Sequence, residues 1–209
     1  MKNLVIVGAG GFGREICSVA KTAVGYGTAF TVKGFLDLKP DALAGTTGYP
    51  PVLGAPETYG IEPDDVFFVA LGDLGLRRKN VELIAARGGR FLTLVHPSAS
   101  IGMNVRIGEG CYIAHNAVLT ADVEIGNNVC IFHGTVIGHD CRVGDCSHVS
   151  SLVFLGGGVR IGTGVTVHPG VRVAPFKRIG GGATLGIGSV VIANVRPGTT
   201  VFGNPALPV

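Results

Sequence analysis

An aliphatic residue stands at every sixth position from Val95 to Val191, through Ile101, Ile107, Ile113, Leu119, Ile125, Ile131, Ile137, Val143, Val149, Leu155, Ile161, Val167, Val173, Ile179 and Leu185. Four residues after each comes a second, smaller position, as in Ala99, Val105, Cys111, Ala117, Val123, Val129, Thr135, Cys141, Ser147 and Val153. Lys177 is the clear break in this second series. A period of six fits neither the 2.0 of a half-buried strand nor the 3.6 of a helix. It is the hexapeptide pattern of a parallel β-helix, each hexad supplying a short strand and a turn. Glycine recurs at the second hexad position, as in Gly102, Gly108, Gly126, Gly138 and Gly144, where tight corners favour its backbone freedom.

Before this repeat the pattern changes. The apolar run Leu4 to Val7 reads as a strand, and Gly8-Ala9-Gly10-Gly11-Phe12-Gly13 follows it. A helix is expected over Arg14 to Ala23, a strand over Thr31 to Leu36 and another over Val66 to Leu71. A second helix is expected from Arg77 to Arg87, stopped by Gly88-Gly89. Strand and helix alternation predicts a small parallel α/β domain. The expected organisation is therefore a Rossmann-like βαβ domain over residues 1–92 and a β-helix over residues 93–209.

Gly8, Gly10 and Gly13 satisfy G-x-G-x-x-G between strand and helix, and Asp37 follows near the spacing at which an acid reads ribose hydroxyls. The domain is too short for the two mononucleotide halves of a full dinucleotide fold. One half suits a nucleoside diphosphate, its phosphates on backbone N–H groups at the helix start. The competing reading is a glycine turn that merely joins strand to helix.

Composition narrows the rest. Glycine is 35 of 209 residues without a collagen period. The net charge of +3 is dispersed, with no basic run of the kind that binds nucleic acid. No apolar run is long enough for a membrane span or a signal peptide, which points to a cytoplasmic protein. Five cysteines without a C-x-x-C pair argue for reduced thiols and against a metal site.

If three hexads make one coil, residues 18 apart stack at about 4.8 Å. His115 and His133 then share a column, and His139 lies directly under Gly157. His96, His115 and His168 read as solvated surface side chains. His139 differs, because Gly138-His139-Asp140-Cys141 places a carboxylate beside it and a glycine N–H one coil away. A base, an acid that orients it and a backbone donor for developing negative charge are what acyl transfer requires.

The chain resembles the bacterial hexapeptide acyltransferases that N-acetylate nucleotide-linked amino sugars or O-acetylate sialic acid. The motifs carrying the resemblance are the glycine turn through Arg14-Glu15, Gly34-Phe35-Leu36-Asp37, Ala70-Leu71-Gly72-Asp73 with Arg77, Gly138-His139-Asp140-Cys141, and Gly203-Asn204-Pro205-Ala206. The resemblance implies a left-handed β-helix, a homotrimer with active sites between subunits, and acetyl-CoA as co-substrate with no metal. It implies His139 as general base and Asp140 as its partner. It further implies cofactor contacts at His148, Gly157, Pro169 and Ile187, and nucleotide-sugar contacts at Gly10, Gly11, Phe12, Asp37, Gly72, Asp73 and Arg77. Phe12 stands where relatives often carry His, Leu38 replaces a second acid, and Val167-His168 replaces the usual Ile-Gly. The implied activity is N-acetylation of a nucleotide-linked amino sugar for surface glycan or O-antigen biosynthesis. Sialic acid O-acetylation is the main alternative. A zinc hydrase using His115, His133 and His139, and a non-catalytic solenoid that binds a nucleotide sugar, are readings of other classes.

Overall fold

The computed structural model describes residues 1–209, which divide into two compact units, 1–94 and 95–209. The first is a five-stranded, all-parallel sheet of order β3-β2-β1-β4-β5. Its strands are β1 (Lys2–Val7), β2 (Phe30–Leu36), β3 (Val52–Gly54), β4 (Asp65–Val69) and β5 (Arg90–Phe91). Two helices, α1 (Gly11–Ala20) and α2 (Leu74–Ala86), cross between them. Leu4 to Val7 form a continuous buried run, as expected of a central strand in a parallel sheet.

Helix α1 starts three residues earlier than expected and stops three earlier. Its inward stripe is Gly13, Ile16, Cys17 and Ala20, a regular helical spacing. Gly13 belongs to this stripe because a Cβ there would run into the carbonyl oxygen of Gly8. Helix α2 also begins three residues early, because Asp73 caps it by accepting from Leu76 N–H at 2.8 Å. Two strands escaped the sequence reading. β3 is a three-residue edge strand behind Pro50-Pro51, and β5 lies between Gly88-Gly89 and the start of the repeat.

The second unit is a parallel β-solenoid of two-residue strands. Its three faces are a six-stranded, a five-stranded and an eight-stranded sheet, the last closed by one antiparallel hairpin at Ala206–Pro208. Partners in register are 18 residues apart, as in Val118 opposite Val136 and Cys130 opposite His148. The aliphatic sixth residues and the small residues four positions later meet inside as one core, with Val95, Ala99, Val105 and Ile107 partly exposed at its start. The polar members of the inner series are satisfied by backbone: Thr135 Oγ1 donates to Ser150 O at 2.7 Å and Ser147 Oγ to Gly162 O at 2.9 Å. Cys141 Sγ–H donates likewise to Gly156 O at 3.1 Å.

The glycines need a different account from the one the sequence suggested. Positive φ falls two residues beyond the expected second hexad position, at the third position after each aliphatic, where Asn116, Asp122, Asn128 and Asp140 lie near +57°. The second-position glycines avoid a steric clash instead. A Cβ at Gly138 would stand 2.7 Å from Gly157 N, and one at Gly144 2.7 Å from Gly162 C.

Gly13→Ala is expected to destabilise the protein by at least ~1–3 kcal/mol, the range for overpacking a close contact. Denaturant unfolding measures this, and a variant as stable as the wild type would remove the packing role given to Gly13.

Candidate active site

In the solenoid, the corner after the strand Val136–Ile137 carries the catalytic candidates. Asp140 takes the left-handed corner conformation, φ +59°, which a short polar side chain tolerates. This turns its carboxylate back to its neighbour, and His139 Nδ1 lies 2.7 Å from Asp140 Oδ2. A carboxylate accepts only, so in the neutral imidazole Nδ1 carries the proton and Nε2 the lone pair. Both side chains are about two-thirds exposed, so the pair is open to a substrate.

Gly157 lies one coil on. A Cβ on it would stand 2.5 Å from His139 Nε2 and 2.6 Å from Cε1, so the ring occupies space that only glycine leaves. The Gly157 N–H donates to no group within the chain, whereas the next amide, Gly158 N–H, donates to His139 O at 2.7 Å. A base nitrogen and a residue with an unused backbone donor therefore lie next to each other. That is the minimum equipment for deprotonating a nucleophile and holding the oxyanion it creates.

The other sequence-derived residues lie elsewhere. His148 sits on the eight-stranded face with its ring 4.6 Å from that of Phe132. Pro169 and Ile187 follow later strands of that same face. Within one chain Pro169 and Ile187 stand at a different corner from His139, and His148 lies on a strand of the face that leads to that corner. His115 and His133 do stack, with centroids 4.0 Å apart, and His96 extends the stack at 5.3 Å from His115. Burial, then the neighbouring His115 and His96, hold the His133 pKa below its usual value. His139 stands at another corner, so the three residues of the zinc reading do not converge within one chain.

In the first unit, a cavity of about 240 Å³ opens at the carboxyl ends of β1 and β2. Ligands bind open parallel sheets at this carboxyl edge, and Leu71, just after β4, brings in the β1–β4 pair at which strand order reverses. Gly8, Asp37 and Leu38 line the cavity. Asp37 Oδ2 accepts from Ala9 N–H at 2.8 Å and Oδ1 from Lys39 N–H at 3.0 Å, so the acid holds the glycine turn. Gly10 and Gly11 are exposed, and nothing lies where their Cβ atoms would be. With no acid in its first turn, the start of α1 is open to an anion. Phe12 packs edge-on against Phe68, centroids 6.3 Å apart. Gly72 and Asp73 are exposed at the start of α2, and Arg77 is 1% exposed, in the interior of the unit. The sequence reading missed Lys39, Lys79 and Asn80 on the cavity wall. Lys39 had a signal, standing two residues after Asp37; the helix positions of Lys79 and Asn80 had none.

A parallel solenoid with a His–carboxylate pair over a free glycine N–H, joined to a small nucleotide-binding-type sheet, defines a hexapeptide-repeat acyltransferase. The family model of the GMPPB C-terminal domain matches residues 92–196, half of the chain, and that of the PglD N-terminal domain matches residues 3–84. PerB from Caulobacter crescentus, solved with CoA and GDP-perosamine, is 31% identical and superposes with a TM-score of 0.87 over 100% of this chain and 98% of that one. The acetyltransferase domain of PglB from Neisseria gonorrhoeae FA1090, solved with acetyl coenzyme A, is 29% identical with a TM-score of 0.89, covering 100% of this chain and 99% of that one. UDP-N-acetylbacillosamine N-acetyltransferase of Bacillus subtilis (strain 168) is 33% identical over 117 residues, 54% of this chain and 51% of that protein. The match thus spans about half the length of that curated relative. The chain belongs to the hexapeptide-repeat sugar acetyltransferases with a PglD-type N-terminal domain.

Cys141 follows the pair directly but faces the core. Burial pushes its thiol up to about 11, leaving it neutral at pH 7. The stability gained by burying a neutral thiol is complete below its unfolded value of 9.0 and is lost as pH rises toward about 11. Unfolding free energy should therefore fall across that window, and Cys141→Ala should flatten part of the fall. An identical pH profile in the variant would contradict this.

Proposed function

We propose that the protein transfers the acetyl group of acetyl-CoA to the amino group of a nucleotide-linked amino sugar. The observation that carries this reading is the His139 imidazole, oriented by Asp140, with Nε2 packed against Gly157, whose N–H is unused within the chain. The relatives named as sugar N-acetyltransferases, and those solved with CoA, acetyl coenzyme A or GDP-perosamine, support it.

The amine nitrogen attacks the thioester carbonyl, and His139 Nε2 takes the proton the nitrogen sheds. The carbonyl oxygen becomes an oxyanion, which the Gly157 N–H supports. Asp140 holds the Nδ1 proton in place and offsets the charge of the imidazolium. Collapse of the tetrahedral adduct breaks the C–S bond, and the CoA sulfur leaves with the proton from Nε2. The products are the amide and free CoA, and His139 is again neutral. No step needs a covalent enzyme intermediate or a metal.

In the first unit, the open Gly10-Gly11 amides at the start of α1 and the cations Lys39 and Lys79 suit a diphosphate. Asp37, fixed at the turn, retains lone pairs for sugar hydroxyls.

A homotrimer follows from the same reading. His148, Pro169 and Ile187 belong to a different face of the solenoid from His139, which supports a donor held between two copies. Exposed apolar side chains at Leu152, Phe154 and Ile187 suit such contacts. No helix is long and apolar enough to cross a membrane. We assign the enzyme to the cytoplasm, in the service of surface glycan synthesis.

Thiol release from acetyl-CoA, measured against UDP-, dTDP- and GDP-linked amino sugars with free and CMP-linked sialic acid alongside, tests the reaction. Turnover is expected on one amino sugar, and turnover on sialic acid alone would replace N- by O-acetylation. His139→Ala should lower kcat about 100-fold or more, the range for a general base, and wild-type turnover in that variant would rule the base out. Light scattering at micromolar concentration should give three times the chain mass, and a monomer would contradict the shared site.

A further inference from the structure

The charges of the solenoid are sorted along its axis. Residues 95–145 carry five acids against the two cations Arg106 and Arg142. Residues 146–209 carry no Asp or Glu and five cations, Arg160, Arg172, Lys177, Arg178 and Arg196. The cations stand apart in sequence, and coil stacking gathers them. Arg178 lies on the last strand of the five-stranded face and Arg172 on the last but one of the six-stranded face. Arg196 follows Val195, which pairs with Ile179 in the closing coil. All three are exposed and none forms an ion pair. Gathered cations without acids repel one another, so folding alone does not favour this arrangement.

The same end of the solenoid is apolar. Repeat proteins close their terminal repeats with a polar outer face, which keeps them soluble. Here residues 187–209 hold a single charged side chain, Arg196. Ile192, Phe202 and Leu207 are 57%, 52% and 62% exposed. Phe202 and Leu207 stand directly opposite each other in the closing hairpin, so their side chains share one side of it. Leu207 and Arg196 line an open cavity of about 460 Å³ together with Val195 and Val201.

Cations set around exposed hydrocarbon suit a partner that is anionic at its surface and apolar just beneath. We propose that the carboxyl-terminal end of the solenoid docks on an anionic lipid bilayer. Ile192, Phe202 and Leu207 enter the headgroup layer, and Arg172, Arg178 and Arg196 face lipid phosphates. A second copy meeting this end would bring like charge against like charge. Nucleic acid would satisfy the arginines but gain little from Ile192 and Leu207, whose aliphatic side chains neither stack on bases as rings do nor donate to phosphates. The arginines lie within two coils, ~10 Å, of the end, close to the Debye length of about 8 Å over which a charged leaflet acts. Each such cation strengthens binding about fivefold. His139 lies three coils back, ~15 Å from the end, so docking leaves its corner open to solvent. The proposal does not depend on the acetyltransferase reading.

Vesicle sedimentation tests it. Vesicles of phosphatidylcholine alone, and of equal parts phosphatidylcholine and phosphatidylglycerol, are spun down with wild type, Leu207→Glu, Arg172→Gln/Arg196→Gln and Arg106→Gln. Coenzyme A is kept in excess throughout, so that any site for it is filled. Wild type should bind the anionic vesicles, lose them as salt rises, and leave the phosphatidylcholine vesicles free. Leu207→Glu and the double arginine variant should each bind at least about tenfold more weakly. Arg106→Gln removes a cation from the acidic half and should bind as wild type does. The substituted side chains are exposed, and thermal melting checks that each variant is folded. The proposal is overturned if wild type ignores anionic vesicles or binds both kinds equally. Binding within about twofold of wild type in both folded end variants, or a loss in Arg106→Gln as large as in the double variant, overturns it too. Release from the vesicles by a single-stranded oligonucleotide at equal phosphate concentration would make nucleic acid the ligand instead.

Discussion

The coil-to-coil backbone ladder is the constraint from which the rest of the solenoid follows. Gly126 N–H donates to Val143 O, Gly138 N–H to Leu155 O and Gly156 N–H to Val173 O, always 17 residues ahead. As far as Val191 each residue sits over the one 18 positions later, and the last coil shortens this to 16, with Thr184 opposite Thr200. The sixth-residue aliphatics fill the interior because the ladder turns them inward. His139 meets Gly157 because the ladder puts them in one column. A one-residue insertion between them would move every later side chain off its column, which is why the period runs unbroken from Val95 to Val191.

This constraint also separates what could be read in the sequence from what could not. The repeat fixed the solenoid, its core and the stacking of His115 on His133, since all depend on position modulo 18. The His139–Asp140–Gly157 group was legible for the same reason. The first unit was harder, because its order depends on tertiary pairing. β3 is short, lies at the edge and follows two prolines, so its pattern resembles a loop. The helix starts were displaced because backbone at Gly10-Gly11 and the Asp73 cap decide them, ahead of the first apolar residue of each stripe. The second-position glycines looked like corners, yet their reason is the nearness of the next coil. A sequence displays the small residue and not which of two steric demands selects it.

The register also sets Arg142 opposite Arg160 and Arg160 opposite Arg178 on the five-stranded face. What this means depends on which neighbours carry acids. Glu124 meets Arg142, and nothing equivalent meets the other two. Only the register turns three separate basic residues into a local excess of positive charge.

The corner column containing Asp140 brings fold and chemistry into one demand. The corner needs a residue that accepts φ near +60°, and Asn, Asp and Gly do so most easily. The chemistry needs a carboxylate within hydrogen-bonding reach of the preceding imidazole. Aspartate meets both, so holding His139 in the orientation proposed for it adds little strain to the fold. One coil on, Gly158 meets the corner demand and leaves room above it. Two coils on, Phe176 meets neither demand cheaply. Within a repeat this regular, Phe176, two coils from Asp140 in the same corner column, is a residue whose presence folding does not account for.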